Sequence, residues 1–491
     1  MITNELKVAV LKNENLEYNQ EPPFNPGIKY PEYPFNEVCE RNMPYDSIRK
    51  ILFLLEMDKR NYNEKSWNPL SEIISSEDSV LIKPNLARHY NSTGGTDELV
   101  THGSIIRAIL DYVYIALNGR GKIKIGDAPV QDTDFIKLIK IVGIDKIIDF
   151  YNKNTELEIE IVDFRIEKGC KGRLGNIERE ELKGDPLGYA AIDLNINSEL
   201  FEISKYYKKF RVTNYHKSDM IKHHNVKRNE YLISNSVLNA DVIINLPKLK
   251  THRKAGITCA LKNMIGINGS KNWLPHHRVG SIEMGGDEYL YRSIRKEILT
   301  KMNEKMDNIS WKYLSSLMKI LHILITKTAS IFPFKDQYFE GSWYGNDTIP
   351  RTITDINKII FFADKNGVLK DEIQRKMIII VDAIIAGESE GPLEPSPKKC
   401  GLLVGGYNPA AVDIICSTIM GFDYKKIPTI GSALRSKKYK LFNHNISDIK
   451  ILSNRRYIFD DVYEEFNCNF IPTNDWKGHI EYIKMDRKRK F

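Results

Sequence analysis

The sequence has few cysteines and lacks the short motifs that mark many enzyme classes. Its six cysteines lie far apart and form no C-x-x-C pair: Cys39, Cys170, Cys259, Cys400, Cys416 and Cys468. This spacing does not support an iron–sulfur cluster or a zinc ribbon, and we expect no iron–sulfur cluster. The sequence also contains no G-x-x-x-x-G-K-[S/T], no G-x-S-x-G and no H-E-x-x-H, and no G-x-G-x-x-G follows a strand. A standard phosphate-binding loop, a serine-hydrolase elbow and a zinc-protease helix are therefore not indicated.

Long uninterrupted apolar runs are absent as well. No stretch reaches the roughly 18 apolar residues expected of a transmembrane helix. Residues 314–332 come closest, but Lys319, His322 and Lys327 interrupt them, and the apolar positions follow helical spacing. We expect this helix to pack on the core or on a second subunit, with peripheral contact to a membrane as the alternative. The N-terminus has no signal-peptide pattern, which together with the scattered cysteines predicts a cytoplasmic protein.

The composition is that of a globular protein with a modest excess of positive charge. Of its 491 residues, 42% are hydrophobic and 28% are charged. Basic residues number 72 and acidic residues 64, so the net charge is +8. Such an excess is compatible with anionic small molecules, nucleic acids or membrane surfaces. The basic residues are not interleaved with aromatic ones, so we expect no nucleic-acid partner.

Short apolar runs alternate with helical patterns along most of the chain. Lys83 to Asp127 has the pattern of strand, loop, helix and strand, and residues 376–385 form a run apolar enough to be buried on both faces. We predict an α/β fold with one or more mostly parallel sheets flanked by helices, and a helical insertion. The predicted organisation is an N-terminal segment packing on the core (1–75), a first part of the α/β core (76–287), the insertion (288–349), a second part of the core (350–460) and a C-terminal tail (461–491).

The region from Asp241 to Arg278 is the strongest candidate for a functional site. An apolar strand ends at Pro247 and is followed at once by cationic, amide and imidazole side chains. Ligands of open α/β sheets bind beyond the carboxyl ends of strands, and lysines bind phosphate or carboxylate as point charges. We therefore predict an anion-binding site, with these substrate-binding residues: Lys83, Asn85, Lys248, Lys250, Thr251, Lys262 and Asn263.

Histidines and strand-end aspartates are the candidate catalytic groups. His252 or His276 could transfer protons near neutral pH, and Asp127 and Asp382 could act as bases or hold a divalent metal. The alternative for each aspartate is a capped turn. The spacing does not identify a metal. For Asp413, which falls within an apolar helix, we expect a structural hydrogen bond or a charge partner.

Several motifs occur in an order that resembles a known family. They are VLIKPNLA, THGSIIRAIL, IGDAP, INLPKLKTH followed by ALKNMIG, VDAIIAGESEGP and NPAAVDIICSTIMGFD. Together they resemble the bacterial and archaeal family called domain of unknown function 362, over about Val80 to Asp423. The resemblance implies an α/β fold. Some members carry a ferredoxin-like cluster domain, whose cysteines this chain lacks. The segments GSWYGNDT and RTITDIN resemble a branch found near surface-polysaccharide genes, which implies glycan metabolism by association only.

Three functional hypotheses follow. The first is a cytoplasmic enzyme that acts on an anionic small molecule such as a sugar nucleotide, sugar acid, or other carboxylate or phosphate, in surface-polysaccharide biosynthesis. The second is a racemase- or epimerase-like isomerase, because Lys262, Gly266 and His276 resemble the layout of the catalytic subunit of lactate racemase. The third is a non-catalytic binding or scaffold protein, and an oligomer is compatible with all three. An enzyme requires the candidate residues to converge on one site.

Overall fold

A computed structural model describes residues 6–171, 177–213, 217–306 and 339–483 of the chain. Its strands are β1 (Lys7–Lys12), β2 (Ser79–Pro84), β3 (Lys122–Asp127), β4 (Ile159–Asp163), β5 (Glu167–Lys171), β6 (Ile177–Glu181), β7 (Tyr189–Asp193), β8 (Phe210–Arg211), β9 (Glu230–Ser234), β10 (Val242–Leu246), β11 (Lys248–His252), β12 (Gly256–Thr258), β13 (His277–Arg278), β14 (Lys376–Glu388), β15 (Ser396–Gly406), β16 (Lys450–Leu452) and β17 (Arg456–Tyr457). Its helices are α1 (Met43–Leu54), α2 (Gly103–Leu117), α3 (Phe135–Val142), α4 (Ile144–Asn154), α5 (Lys217–His223), α6 (Asn235–Leu238), α7 (Ala260–Asn263), α8 (Ile294–Met306), α9 (Thr348–Phe362), α10 (Pro409–Ile419), α11 (Pro428–Arg435) and α12 (Asp461–Phe466).

An 11-stranded mixed sheet organises the molecule. Its order is β17-β16-β1-β15-β14-β10-β2-β3-β4, and β11 and β12 join it beside β14. The strands from β14 to β4 run parallel to one another, while β15 is antiparallel to both of its neighbours. The prediction of an α/β fold with mostly parallel strands flanked by helices is confirmed.

Helices cover both faces of the sheet, which explains the continuous apolar runs of its central strands. All five residues of β10 are buried. Ile243 packs into one apolar core with α9, α10 and α11, whereas Ile244 packs into the other with α1, α2 and α4. Successive side chains of a strand point to opposite faces, so a strand covered on both faces must be apolar at every position.

Both ends of the described chain contribute strands to this sheet. β1 lies between β15 and β16, and β17 forms the edge next to β16. The boundaries of the five predicted parts stay predictions. The proposed helix at residues 314–332 lies outside the described residues. Within the described residues, no helix combines the length and apolar character needed to cross a membrane.

The long strand β14 positions the candidate site. Its first half pairs with β10 and its second half with β11, with Lys248 opposite Asp382. Pro247 lies between β10 and β11, where it lacks the N–H needed to continue a regular ladder, and its carbonyl accepts a hydrogen bond from the Asp382 amide at 2.9 Å. As a result, β11 extends beyond the carboxyl ends of β2 and β3.

Candidate active site

A buried ion pair lies where β2 and β3 end. Lys83 Nζ is 2.8 Å from Asp127 Oδ1 and donates a hydrogen bond to the Pro84 carbonyl at 2.8 Å. The second oxygen of Asp127 accepts from the Leu86 amide at 2.7 Å. A Cβ at Gly266 would lie 1.9 Å from Asp127 Oδ1, so only glycine lets the chain pass this close to the pair. Asp127 is thereby a fixed partner of Lys83.

Three asparagine side chains connect this ion pair to β10 and α7. Asn263 donates to the Lys83 carbonyl at 3.1 Å and to Asn245 Oδ1 at 2.8 Å, and its own Oδ1 accepts from Asn85 Nδ2 at 3.0 Å. Asn85 Oδ1 is buried without a hydrogen-bond partner among the described residues. The network fixes Asn263 and leaves one amide oxygen of Asn85 available.

A second buried ion pair joins β11 to β14. Lys248 Nζ lies 2.7 Å from Asp382 Oδ2, and both side chains have zero solvent exposure. Tyr18 donates its hydroxyl to Asp382 and accepts from Lys248 Nζ at 2.7 Å. The same carboxylate accepts from the His102 amide at 3.0 Å, and the rings of Tyr18 and His102 stack with centroids 4.0 Å apart. Tyr18 of the N-terminal segment thus forms a hydrogen bond with each member of this ion pair.

Four further lysines of this region have no carboxylate within salt-bridge distance among the described residues. Lys250 Nζ donates to the Leu99 carbonyl at 2.6 Å, and burial, followed by the charges of Lys248 and Lys262, lowers its pKa to about 7. Burial, followed by the charge of Lys271, lowers the pKa of Lys262 to about 7 as well. Burial lowers the pKa values of Lys254 and Lys271 to about 8. These four lysines therefore carry positive charge that no carboxylate in direct contact balances among the described residues, while carboxylates farther away, such as Asp127 and Glu340, partly offset it.

Two histidines beside these lysines present opposite hydrogen-bonding faces. His252 Nδ1 accepts from the amides of Lys254 and Ala255 at 3.0 and 3.1 Å, which places the proton of the neutral ring on Nε2. His276 Nδ1 donates to the Leu274 carbonyl at 2.7 Å, which leaves its Nε2 as an acceptor.

Both rings are neutral at physiological pH. Burial lowers the pKa of His252 and of His276 well below the usual value, and the charge of Lys262 lowers both further. The site therefore contains one imidazole N–H donor and one imidazole acceptor near Lys262. We call Lys250, Lys254, Lys262, Lys271, His252 and His276 the lysine–histidine cluster.

The short helix α7, which carries Lys262 and Asn263, is held by Asp413 of α10. Asp413 accepts from the amides of Ala260 and Leu261 at 2.7 and 3.3 Å. This is the structural hydrogen bond expected from the sequence. It fixes the backbone from which Lys262 projects.

The structure brings most of the predicted residues together. The two ion pairs, the asparagine network and the lysine–histidine cluster all lie at the carboxyl ends of the parallel strands. Thr251 is placed differently, because its hydroxyl donates to the Ser389 carbonyl at 2.9 Å and thereby holds the loop after β14.

Some residues of the site were not predicted from the sequence. Lys254 lies within the same motif and could have been included on its charge alone. Tyr18, His102 and Asn245 had no comparable signal, because only their three-dimensional contacts connect them to the site.

The two aspartates of this region do not come together to form one site. Asp127 and Asp382 belong to different ion pairs. Over the parts of the chain that the structure covers, no group of three or more His, Cys, Asp or Glu side chains could hold a metal ion. In the described structure both aspartates serve as partners of buried lysines.

Residues 190–418 match the model of a protein family described as Domain of unknown function (DUF362). This part of the chain belongs to the DUF362 family. The family prediction is confirmed over that range, which includes β11, α7, His276 and Asp382. Lys83, Asn85 and Asp127 come from outside the matched range but lie in the same site. The assignment to a branch near polysaccharide genes stays a prediction.

Other comparisons add no function to the DUF362 match. A crystal structure of a protein from Thermotoga maritima aligns with 76% of this chain at 11% identity and a TM-score of 0.32. The aligned part spans 58% of that protein. No curated protein matches the sequence.

Proposed function

We propose that this protein is an enzyme that binds an anionic small molecule at the lysine–histidine cluster and transfers a proton through His276. The observation that carries the proposal is the pairing of an imidazole acceptor with an imidazole donor beside lysines that form no salt bridge with a carboxylate in the described part of the chain. Cytoplasmic location and a role in surface-polysaccharide synthesis are parts of the proposal that rest on the sequence alone.

The charge of the cluster favours an anion as the ligand. Burying an ammonium group without a counter-ion is costly, and a protein offsets this cost by binding an anion or by losing the proton. Lys250 and Lys262 have pKa values of about 7, so each is poised between these two outcomes. A bound carboxylate or phosphate would favour the ammonium form of both.

The histidines supply the two halves of a proton transfer. His276 Nε2 is free to accept a proton, while His252 Nε2–H can donate a hydrogen bond to a substrate oxygen that gains negative charge. Both rings keep these roles because their Nδ1 atoms are held by main-chain groups. The arrangement suits proton abstraction next to a carboxylate or carbonyl group.

The buried ion pairs act as positioning elements in this proposal. Lys83 with Asp127 and Lys248 with Asp382 are each electrically balanced. They hold the strand ends in place and leave the net positive charge to the cluster.

The isomerase hypothesis is a special case of the same chemistry. A racemase or epimerase must remove a proton from carbon, and the unprotonated His276 Nε2 is available to accept it, although its lowered pKa makes it a weak base. The scaffold hypothesis places its docking surface on the helix at residues 314–332, which lies outside the described residues, so it stays a prediction.

Ligand binding tests the proposal directly. We expect phosphate, sulfate or gluconate to raise the melting temperature and to bind more tightly than neutral glucose. Lys250→Met and Lys262→Met should each weaken anion binding by about tenfold or more, since a charge-assisted contact contributes ~1.5–3 kcal/mol. Lys425→Met, which removes an exposed lysine far along the sequence, is the control. Wild-type affinity in both cluster variants, or no preference for anions over glucose, would show that the proposal is wrong.

A further inference from the structure

We propose that Lys262 is a nucleophile that forms an imine with the carbonyl group of an anionic aldehyde or ketone. The inference rests on the proposed function, because the cluster must hold the anionic group of the substrate beside the amine. It names a carbonyl-containing anion as the substrate class and assigns Lys262 a covalent role.

Among the lysines of the site, Lys262 is the one whose amine makes no hydrogen bond or salt bridge with another described residue. The other five lysines donate to fixed partners within hydrogen-bond distance: Lys83 to Asp127, Lys248 to Asp382, Lys250 to the Leu99 carbonyl, Lys254 to Thr213 and Lys271 to the Ala128 carbonyl. Lys262 Nζ has no hydrogen bond or salt bridge with any described residue. Because Lys262 Nζ is not one of the buried polar atoms that lack a partner, it is within reach of solvent and therefore of a ligand.

The position of Lys262 combines access with a rigid backbone. Its side chain is partly exposed, whereas Lys83, Lys248 and Lys250 are fully buried. Its helix is fixed on one side by Asp413, and the adjacent Asn263 is locked in the asparagine network. A substrate can therefore reach an amine whose attachment point does not move.

The surroundings of Lys262 favour the unprotonated amine that a nucleophile requires. Burial and the nearby charges of Lys271 and Lys83 lower its pKa to about 7, although Asp127 opposes them. Without a bound anion, a large fraction of Lys262 is then a free amine close to neutral pH, and the fraction that stays unprotonated when the anion binds is the nucleophile. Desolvation and neighbouring cations activate lysines in enzymes that form Schiff bases.

The neighbouring histidines complete the proton balance of the reaction. The amine attacks the carbonyl carbon and forms a C–N bond, and His252 Nε2–H stabilises the oxygen as negative charge develops. His276 Nε2 takes each of the two amine protons in turn and delivers it to that oxygen. The C–O bond breaks, and the products are a neutral imine and one water molecule, with no change of oxidation state.

Reductive trapping with two aldehydes tests this inference on the full-length protein. The probes are glyoxylate, which is anionic, and acetaldehyde, which is neutral, each with sodium cyanoborohydride to reduce the imine. Peptide mass mapping would compare modification at Lys262 with that at the exposed Lys425. We expect glyoxylate to label Lys262 at least about tenfold faster, because burial and the neighbouring cations lower the pKa of Lys262 to about 7 and so provide free amine at neutral pH.

Variants separate the covalent role from charge. Lys262→Arg keeps the positive charge but cannot form the imine, so it should keep gluconate binding within about threefold and lose the fast adduct. The conservative Lys425→Arg should change neither result.

The outcomes distinguish this inference from the proposed function. If gluconate binds normally but Lys262 is labelled no faster than Lys425, the imine inference is overturned and the anion site stands. If Lys262 is labelled equally fast by both aldehydes, the amine is reactive but the anionic substrate is refuted. Rapid adduct formation elsewhere in the cluster of Lys262→Arg would also overturn the assignment to Lys262.

Discussion

Removing the carboxylate of Asp382 should destabilise the protein far more than removing an exposed one. In the wild type this carboxylate accepts from Lys248 Nζ at 2.7 Å, from the Tyr18 hydroxyl and from the His102 amide at 3.0 Å. Asp382→Ala would leave a fully buried ammonium without its counter-ion, and the Tyr18 hydroxyl and the His102 and Ile384 amides without this acceptor.

The expected cost follows from the burial of both partners. Breaking one side of a buried ion pair typically costs about 3–5 kcal/mol. Lys248 has zero exposure and cannot turn to solvent, so we expect a value in the upper half of that range. The exposed pair Lys146–Asp149 provides the matched control, because its side chains are 59% and 68% exposed. Asp149→Ala should cost at most about 0.5 kcal/mol.

Urea unfolding measures the difference. Circular dichroism and tryptophan fluorescence should be followed together, since coincident transitions are needed before a free energy of unfolding is assigned. The double variant Lys248→Met/Asp382→Leu should cost less than the sum of its single changes, because it leaves no unpaired charge. Equal costs for Asp382→Ala and Asp149→Ala, or full additivity in the double variant, would refute the view that the pair acts as a coupled buried unit.

Of three further predictions, two concern the protonation of lysines, and one concerns the close packing at Gly266. Sulfate affinity should fall as pH rises through about 7, because Lys250 and Lys262 lose their protons there. The fall should be up to about tenfold per pH unit for each lysine that must be charged. Calorimetric titrations at several pH values would check this, and an affinity that stays constant from pH 6 to 9 would contradict it. The pKa of Lys262 in the folded protein is below its usual value of 10.5, so above pH 7 the native state binds fewer protons than the unfolded state. Without anion, the free energy of unfolding should therefore rise with pH. Lys262→Met should make that rise smaller. Gly266→Ala should cost about 1–3 kcal/mol and weaken anion binding, since the new Cβ would lie 1.9 Å from Asp127 Oδ1. Gly95→Ala, which meets no atom closer than 3.5 Å, should be near neutral in the same urea assay.

Much of the architecture was predictable because it depends on local patterns. The apolar run before Pro247 correctly predicted a buried strand, whereas the functional site predicted from the cations after it stays a prediction. The βαβ pattern from Lys83 to Asp127 placed those two residues at one edge of the sheet, and the structure joins them in an ion pair. Asp413, an acidic residue in an apolar helix, was expected to make the kind of hydrogen bond it makes with α7.

Other features depend on which strands become neighbours. Tyr18 and Asp382 are separated by 364 residues and meet because the N-terminal segment packs against the end of β14. The sheet also joins β1 to β15 and β16, which lie more than a hundred residues beyond the predicted site motif. A local sequence pattern indicates whether a residue is buried and whether it lies in a helix or a strand, but it does not indicate the order of the strands in the sheet.

The roles of the site residues show the same division. From residue types and spacing alone, His252 and His276 were equivalent candidates for proton transfer, and Lys262 was one lysine among several. The fold makes the histidines different by placing amides on one Nδ1 and a carbonyl on the other. It makes Lys262 different by giving each neighbouring lysine a fixed partner, whereas no residue that the structure describes forms a hydrogen bond or salt bridge with Lys262 Nζ. Residue type and spacing thus determined which segments carry the lysines and histidines. The hydrogen-bond partners that decide which ring nitrogen of each histidine holds the proton come from the tertiary structure, because distant strands and loops must pack together to supply them.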